Sequence, residues 1–225
     1  DYDNLVPSIM GDDIFNGEIL LGVVPTSLVS LAPKTISLVR QTYPNLRIKI
    51  IPNLTKNLLI DLSRNSIDAA ILSKSSLLPK DIVFEPIADE ELELITSLQT
   101  SETDAVAILK TNPYIRFNRE AVVGTQIETW LQSQNISVNE TMELGSLEAI
   151  SSMVSSNLGV SIVPRPCVPS PYEIPLRRIS LNDPNLQRKV GIAYNSFNPK
   201  LRAIKKIQEA LNIVTDEYNK AEQQA

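Results

Sequence analysis

The sequence predicts an α/β protein made of two lobes. Short apolar runs alternate with segments in which apolar residues recur at helical spacing, as they do where helices cover an open, largely parallel sheet. One series of these strand–helix units occupies residues 17–96, and a second series follows a polar stretch at 97–112. A chain of 225 residues is long enough to give each series its own core.

The first series begins with three strands separated by two helices. Strands are predicted at 18–24, 46–51 and 67–72, each from a short apolar or alternating run. The first helix ends at Pro44, and the second is expected to be capped by the Thr55 hydroxyl. The apolar stripe of the first helix consists of Leu28, Leu31, Ile36, Val39 and Tyr43.

Two more strand-like runs, at 82–85 and 92–95, close the first series. The acidic residues Asp89, Glu90 and Glu91 lie between them without a metal-ligand spacing. We expect these three side chains to form a solvated turn that leads into the second run.

The second series is clearest between Gly145 and Pro164. Ser146 is expected to cap a short helix, Gly159 to stop that helix in left-handed backbone, and residues 160–163 to form a buried strand. The expected apolar face of this helix consists of Leu147, Ile150, Val154 and Leu158.

Further elements of the second series precede this unit. A strand is predicted at 114–117, a helix at 125–134 and a strand at 142–144, with Trp130 in the core of the lobe. After the Pro-rich segment 164–175, a strand at 188–194 and a helix from 199 onward are expected to return to the first lobe.

These elements define the expected domain bounds. Lobe I comprises 17–96 plus 188–225, and lobe II comprises 97–187. Residues 1–16 show no periodicity and are expected to be a tail or the end of a truncated linker.

The composition argues against an enzyme. The absence of histidine removes the usual general base and the commonest metal ligand, and no phosphate-loop or Gly-x-Ser-x-Gly motif is present. The single cysteine, Cys167, is expected to be a packing residue rather than a redox sensor. The net charge of −5 disfavours sequence-independent DNA binding by this chain itself. No cofactor or metal is expected, and no apolar run is long enough to indicate a membrane span.

Several short motifs fall in order along the chain. They are Gly17-Glu18-Ile19-Leu20-Leu21-Gly22, Leu31-Ala32-Pro33, Tyr43-Pro44-Asn45-Leu46, Ile67-Asp68-Ala69-Ala70-Ile71 and Leu158–Pro164. Their order and spacing resemble the effector-binding domain of LysR-type transcriptional regulators over most of residues 17–210. The sequence departs from that family at Asn53-Leu54-Thr55, where Gly-x-Ser is frequent, and at Asn65-Ser66, where a glycine is usual. Because Asn tolerates left-handed backbone, we expect the turn at Asn65-Ser66 to keep the family's conformation.

The resemblance implies a type II periplasmic-binding-protein-like fold, with two open sheets, flanking helices and two crossing strands near 94–97 and 187–192. It implies that a small organic effector binds in the cleft between the lobes and that the protein is a homodimer or homotetramer. It also implies a cytoplasmic regulator of transcription that reaches DNA only through an amino-terminal winged helix-turn-helix, which this sequence lacks.

Ligands of open α/β sheets lie beyond the carboxyl ends of the strands, often at helix N-termini. This rule selects eight candidate effector-binding residues: Thr26, Ser27, Thr55, Ser73, Lys74, Asn118, Gly145 and Ser146. The resemblance points to Thr26, Ser27, Thr55, Ser73 and Ser146 among them. Each Ser or Thr has a competing interpretation as a helix cap. Lys74 and Arg116 are candidates for pairing an anionic effector, against a solvated role for Lys74.

Two other functions stay open at this point. An extracytoplasmic solute-binding receptor of a transporter shares the fold and the cleft. An enzyme on the same scaffold would have to use carboxylates, Lys or Tyr, and no paired arrangement of them stands out.

Overall fold

The computed structural model describes residues 16–222, which divide into two compact units. Unit 1 contains the described residues up to Leu72, residues 76–87 and the chain from Gly191 onward, and unit 2 contains residues 73–75 and 88–190. The expected tail at 1–16 lies outside the described residues except for Asn16. No helix within 16–222 is both long and apolar enough to cross a bilayer.

Unit 1 is built on parallel strands, as the strand–helix alternation predicts. Strand β1 (Gly17–Val23) pairs in parallel with β2 (Leu46–Pro52) and with β3 (Ala69–Ser73). The strand order is β2-β1-β3-β9-β4, where β4 spans Ile82–Thr96 and β9 spans Gln187–Asn195. The helices of this unit are α1 (Leu31–Thr42), α2 (Thr55–Ser63) and the long α6 (Leu201–Glu222).

Unit 2 combines an antiparallel part with a parallel pair. Strand β4 pairs antiparallel with β7 (Ser161–Pro164) and β8 (Arg177–Ser180), while β5 (Pro113–Phe117) pairs in parallel with β6 (Asn139–Leu144). A bridge between Tyr114 and Val160 connects β5 to the chain just before β7. The helices are α3 (Ala105–Thr111), α4 (Val122–Ser133) and α5 (Leu147–Ser155).

The core of unit 2 contains the only tryptophan of the chain. Trp130 on α4 is 8% exposed and packs in one apolar cluster with residues of β4, β5 and α5. The indole Nε1 is buried and has no hydrogen-bond partner among the described residues. The expectation of a core tryptophan is thus confirmed.

The strand β4 corrects one sequence-based expectation. Residues 82–96 form a single strand of 15 residues rather than two runs separated by a turn. The expected solvated turn is wrong because Glu90 is only 4% exposed, and a buried arginine neutralises its charge, as described below. The chain passes between the units at 72–73, 75–76, 87–88 and 190–191. The last of these passages falls within the expected 187–192, and none falls within the expected 94–97.

The segment from Ser146 to Pro164 confirms the predicted cap, helix and buried strand and corrects two details. The Ser146 hydroxyl accepts a hydrogen bond from the Ala149 amide at 3.2 Å, so Ser146 is the N-cap of α5. Leu158 is 50% exposed and lies beyond the end of α5, so it does not belong to the apolar face. The left-handed residue after the helix is Asn157, with φ of 58°, and not Gly159.

Gly159 is required for a different reason. A Cβ atom at this position would lie 2.8 Å from the Pro113 carbonyl oxygen and 3.2 Å from Cγ1 of Ile115. The Val160 amide donates to the same Pro113 carbonyl at 2.9 Å, which holds the two chain segments close together. The glycine therefore permits a close approach of the chain to β5. At Asn65, by contrast, φ is 54°, and the expected left-handed turn is confirmed.

We expect Gly159→Ala to lower the free energy of unfolding by about 1–3 kcal/mol, because the added methyl group overlaps backbone atoms that cannot move independently. Gly145→Ala is the matched control, because its Cβ would lie 3.4 Å from Asn118 Cβ, which is ordinary van der Waals contact. Urea denaturation of both variants measures the difference, and equal destabilisation would contradict the packing role of Gly159.

Candidate functional site

The strand ends of unit 1 bring three predicted site residues to one edge of the sheet. The Asn53 amide donates to the Val23 carbonyl at 3.2 Å, so the ends of β1 and β2 lie side by side. Thr26 and Ser27 follow β1 in a short 3-10 turn, and Thr55 is the first residue of α2 after β2. Since the strands are parallel, all three residues lie at the carboxyl end of this sheet.

Two features at this edge leave hydrogen-bonding capacity unused. The Ser27 hydroxyl is buried, with the residue 2% exposed, and it has no partner among the described residues. Helix α2 has Leu54 as its N-cap and no side-chain cap, so the prediction that Thr55 caps it is wrong. Asn53 Oδ1 instead accepts from the Leu54 amide at 2.9 Å, one residue ahead of the helix. A helix N-terminus without a side-chain cap favours a polar or anionic ligand.

The strand ends of unit 2 bring together three more predicted residues. In the register of β5 and β6, Phe117 pairs with Leu144, so Asn118 and Gly145 follow at the same level. The Asn118 amide donates to the Leu144 carbonyl at 2.9 Å, and Ser146 comes next as the cap of α5. Asn118 Oδ1 accepts from the Glu120 amide, whereas the Asn118 Nδ2 group has no acceptor within residues 16–222. Asn118 can therefore donate to a ligand.

The two cations considered for an anionic effector differ in their surroundings. Arg116 is buried and forms ion pairs with Glu128 and Glu140, the latter at 2.8 Å. Its hydrogen bond lowers the pKa of Glu140, so these charges are balanced internally. Lys74 is exposed, and its ammonium group has no ion pair within the described residues. Of these two cations, Lys74 is the one that offers an uncompensated positive charge next to a strand end.

A buried charged cluster was missed from the sequence. Arg188 on β9 is 1% exposed, and its Nε and Nη2 each lie 2.6 Å from Glu90 Oε2 on β4. Its Nη1 donates to the Ser73 hydroxyl at 3.3 Å, and Glu90 Oε1 accepts from the Cys167 amide at 2.9 Å. All four residues belong to unit 2. No local signal marks this pair in the sequence, because Glu90 lies between Asp89 and Glu91, and Arg188 lies between Gln187 and Lys189.

Cys167 lies in this cluster but is not activated. Burial, reinforced by the neighbouring Glu90 carboxylate, raises the pKa of the thiol well above its usual range. Since the thiolate is the reactive form, the environment disfavours redox chemistry at this cysteine. Within the described residues no group of three or more potential metal ligands is found.

The geometry agrees with the comparison to protein families. The model of the LysR substrate binding domain matches residues 13–213. The chain belongs to this family. It is 28% identical over 171 residues to the HTH-type transcriptional regulator CzcR of Bacillus subtilis (strain 168). That match covers 75% of this chain and 56% of CzcR, so the chain spans little more than half the length of this relative.

Solved structures confirm the fold. The effector binding domain of QuiR in complex with shikimate superposes with a TM-score of 0.74, 21% identity and coverage of 89% of this chain and 98% of that one. The reduced form of the OxyR regulatory domain from Pseudomonas aeruginosa gives a TM-score of 0.72 and 24% identity, covering 87% of this chain and 98% of that one. The LysR substrate domain thus has the type II periplasmic-binding-protein-like α/β fold that the resemblance implied.

Adjacent residues on β9 provide a matched test of the buried pair. Arg188→Met leaves the Glu90 charge buried without its counter-ion and is expected to cost about 3–5 kcal/mol of unfolding free energy. Lys189→Met removes the exposed pair with Asp89, whose atoms are 3.0 Å apart, and is expected to cost less than about 1 kcal/mol. Urea denaturation at neutral pH measures both. Similar small losses of unfolding free energy in both variants would show that burial does not make the Arg188–Glu90 pair important for stability.

Proposed function

We propose that this domain binds a small polar organic effector at the strand ends of its two units. The observation that carries the proposal is the buried Ser27 hydroxyl, which has no partner among the described residues, beside a helix that has no side-chain cap. Buried polar groups in folded proteins are nearly always hydrogen-bonded, so an orphaned hydroxyl at a strand end is a candidate contact for a ligand. QuiR, a structural neighbour, is described in complex with shikimate, which supports a small-molecule effector.

The candidate residues supply mostly uncharged hydrogen-bonding groups. In unit 1 these are the hydroxyls of Thr26, Ser27 and Thr55 with the α2 N-terminus, and in unit 2 they are Ser73, Asn118, Gly145 and Ser146. Lys74 adds one positive charge. Such a set fits an effector that has several oxygen or nitrogen atoms and a low net charge, because a few placed polar groups orient a ligand of this kind.

In this proposal, effector binding favours one state of the domain and thereby controls DNA binding by a longer protein. The winged helix-turn-helix of that longer protein contacts DNA in the cytoplasm. The protein acts as a homodimer or homotetramer whose contacts involve α1 and α5. The similarity to CzcR favours a transcriptional regulator over a solute receptor or an enzyme.

A thermal-shift panel containing shikimate, benzoate, L-glutamate and neutral analogues such as benzamide tests the proposal. A true effector at about 100 times its dissociation constant should add about 2.7 kcal/mol of stability. If no small organic molecule stabilises the wild-type domain, while a control LysR substrate domain responds to its own effector, the proposed effector binding is contradicted.

Ser27→Ala separates binding from stability. Because the hydroxyl lacks a partner among the described residues, its removal should leave the unliganded unfolding free energy unchanged or raise it by up to about 1 kcal/mol. Loss of a hydrogen bond to the effector should weaken binding about tenfold. Calorimetric titration with the active panel compound measures the affinity.

Ser63→Ala is the control for this variant, because Ser63 lies at the far end of α2 and donates to the Leu59 carbonyl at 3.0 Å. It should leave the affinity unchanged. Equal affinities of the Ser27→Ala and Ser63→Ala variants would exclude Ser27 from the site.

A further inference from the structure

Ser73 differs from the other candidate serines because a buried cation holds its hydroxyl. Arg188 Nη1 donates to Ser73 Oγ at 3.3 Å, and Ser73 is itself buried at the carboxyl end of β3. Ser146, in contrast, uses its hydroxyl within α5, where it accepts from the Ala149 amide and donates to Glu148 at 2.7 Å. The two serines therefore have different hydrogen-bonding capacity left for a ligand.

The hydrogen bond from Arg188 determines what Ser73 can still do. A guanidinium has only donors, so Ser73 Oγ must be the acceptor in this contact. The hydroxyl hydrogen of Ser73 has no acceptor among the described residues. A serine whose oxygen is occupied in this way presents its O–H as a donor to a third group.

The arginine cannot turn away from Ser73 easily, because Glu90 holds two other nitrogens of the same planar group. Arg188 Nε and Nη2 both lie 2.6 Å from Glu90 Oε2, and the second oxygen of Glu90 is engaged by the Cys167 amide at 2.9 Å. The fork of a guanidinium is rigid, so fixing two nitrogens fixes the direction of the third. The Glu90 carboxylate also cancels the positive charge of Arg188, so the effector group that contacts Ser73 does not have to be an anion.

We propose that Arg188 and Glu90 are positioning residues that present the Ser73 hydroxyl as a hydrogen-bond donor to an acceptor oxygen of the effector, such as a carbonyl, carboxylate or hydroxyl oxygen. The inference rests on the proposed function and narrows its effector class. Arg188 acts through Ser73 and does not itself touch the effector.

A double-mutant cycle tests this coupling. One arm is Ser73→Ala, and the other is the double variant Glu90→Leu with Arg188→Met, which replaces the ion pair by apolar side chains that a core often tolerates without loss of stability. Affinity for whichever of shikimate, benzoate or L-glutamate stabilises the wild type is measured by calorimetry. Each arm should weaken binding about tenfold, and the combined variant also about tenfold, because both remove the same hydrogen bond. Ser73→Thr, which keeps a hydroxyl, should bind more tightly than Ser73→Ala.

Two results of the cycle overturn the inference. If the combined variant bound about a hundredfold more weakly than the wild type, the free-energy losses of the two arms would be additive. The pair would then act independently of Ser73. Wild-type affinity in the apolar-pair variant would show that the pair does not position the site. If that variant does not fold, Arg188→Lys replaces it, since a single ammonium cannot bridge Glu90 and Ser73 as the guanidinium does.

A measurement without effector keeps this inference distinct from the proposed function. The side-chain torsion of Ser73, obtained from NMR couplings, should show one rotamer in the wild type and averaged rotamers in the apolar-pair variant. An unchanged single rotamer would overturn the positioning role even if an effector binds. If no panel compound binds the wild type but the rotamer averages as expected, the effector class fails while the positioning of Ser73 stands.

Discussion

The ion pair between Glu90 and Arg188 is the interaction on which the organisation of this domain depends. Its two residues lie on β4 and β9, the long strands that each carry residues of both units. Taking two charges out of water costs several kcal/mol per ion, and the attraction between them offsets this cost only when the geometry and remaining hydrogen bonds are good. Here Ser73 and the Cys167 amide supply the remaining bonds. The pair therefore contributes less net stability than its short distances suggest. Its main effect is to hold β3, β4, β9 and the segment after β7 in one arrangement.

The two units prepare their strand ends differently. In unit 2, Glu128 and Glu140 pair with Arg116, and Ser146 accepts from an α5 amide, whereas the buried Tyr114 hydroxyl, Gln126 Oε1 and Trp130 Nε1 have no partner among the described residues. In unit 1, the Ser27 hydroxyl is buried without a partner among the described residues, and the N-cap of α2 makes no side-chain hydrogen bond. Unsatisfied groups gain most from a ligand, whereas satisfied groups are rigid and discriminate by shape. In the proposed site, the Ser27 hydroxyl is therefore the group that gains most from a polar ligand.

The order of strands and helices could be predicted from the sequence because each element carries a local pattern. Ser146 as a cap and Asn65 as a left-handed residue depend on neighbours in the chain and are confirmed. Gly159 and Glu90 depend on distant partners, Pro113 and Arg188, so their roles could not be read locally. The rule that ligands lie beyond the carboxyl ends of strands also placed Asn118 and Gly145 together correctly, because the register of a parallel pair follows from the strand bounds. The role of these residues toward an effector stays a proposal.

The position of the single tryptophan has an optical consequence. Trp130 lies in the core of unit 2, and unit 1 contains no tryptophan. Its indole is shielded from water, so its emission in the folded state lies at shorter wavelength than that of a hydrated indole. Fluorescence excited at the red edge of the absorption band therefore follows unit 2 alone, whereas circular dichroism sums over both units. A difference between the two signals along a denaturation curve would show that the two units melt as separate cooperative blocks.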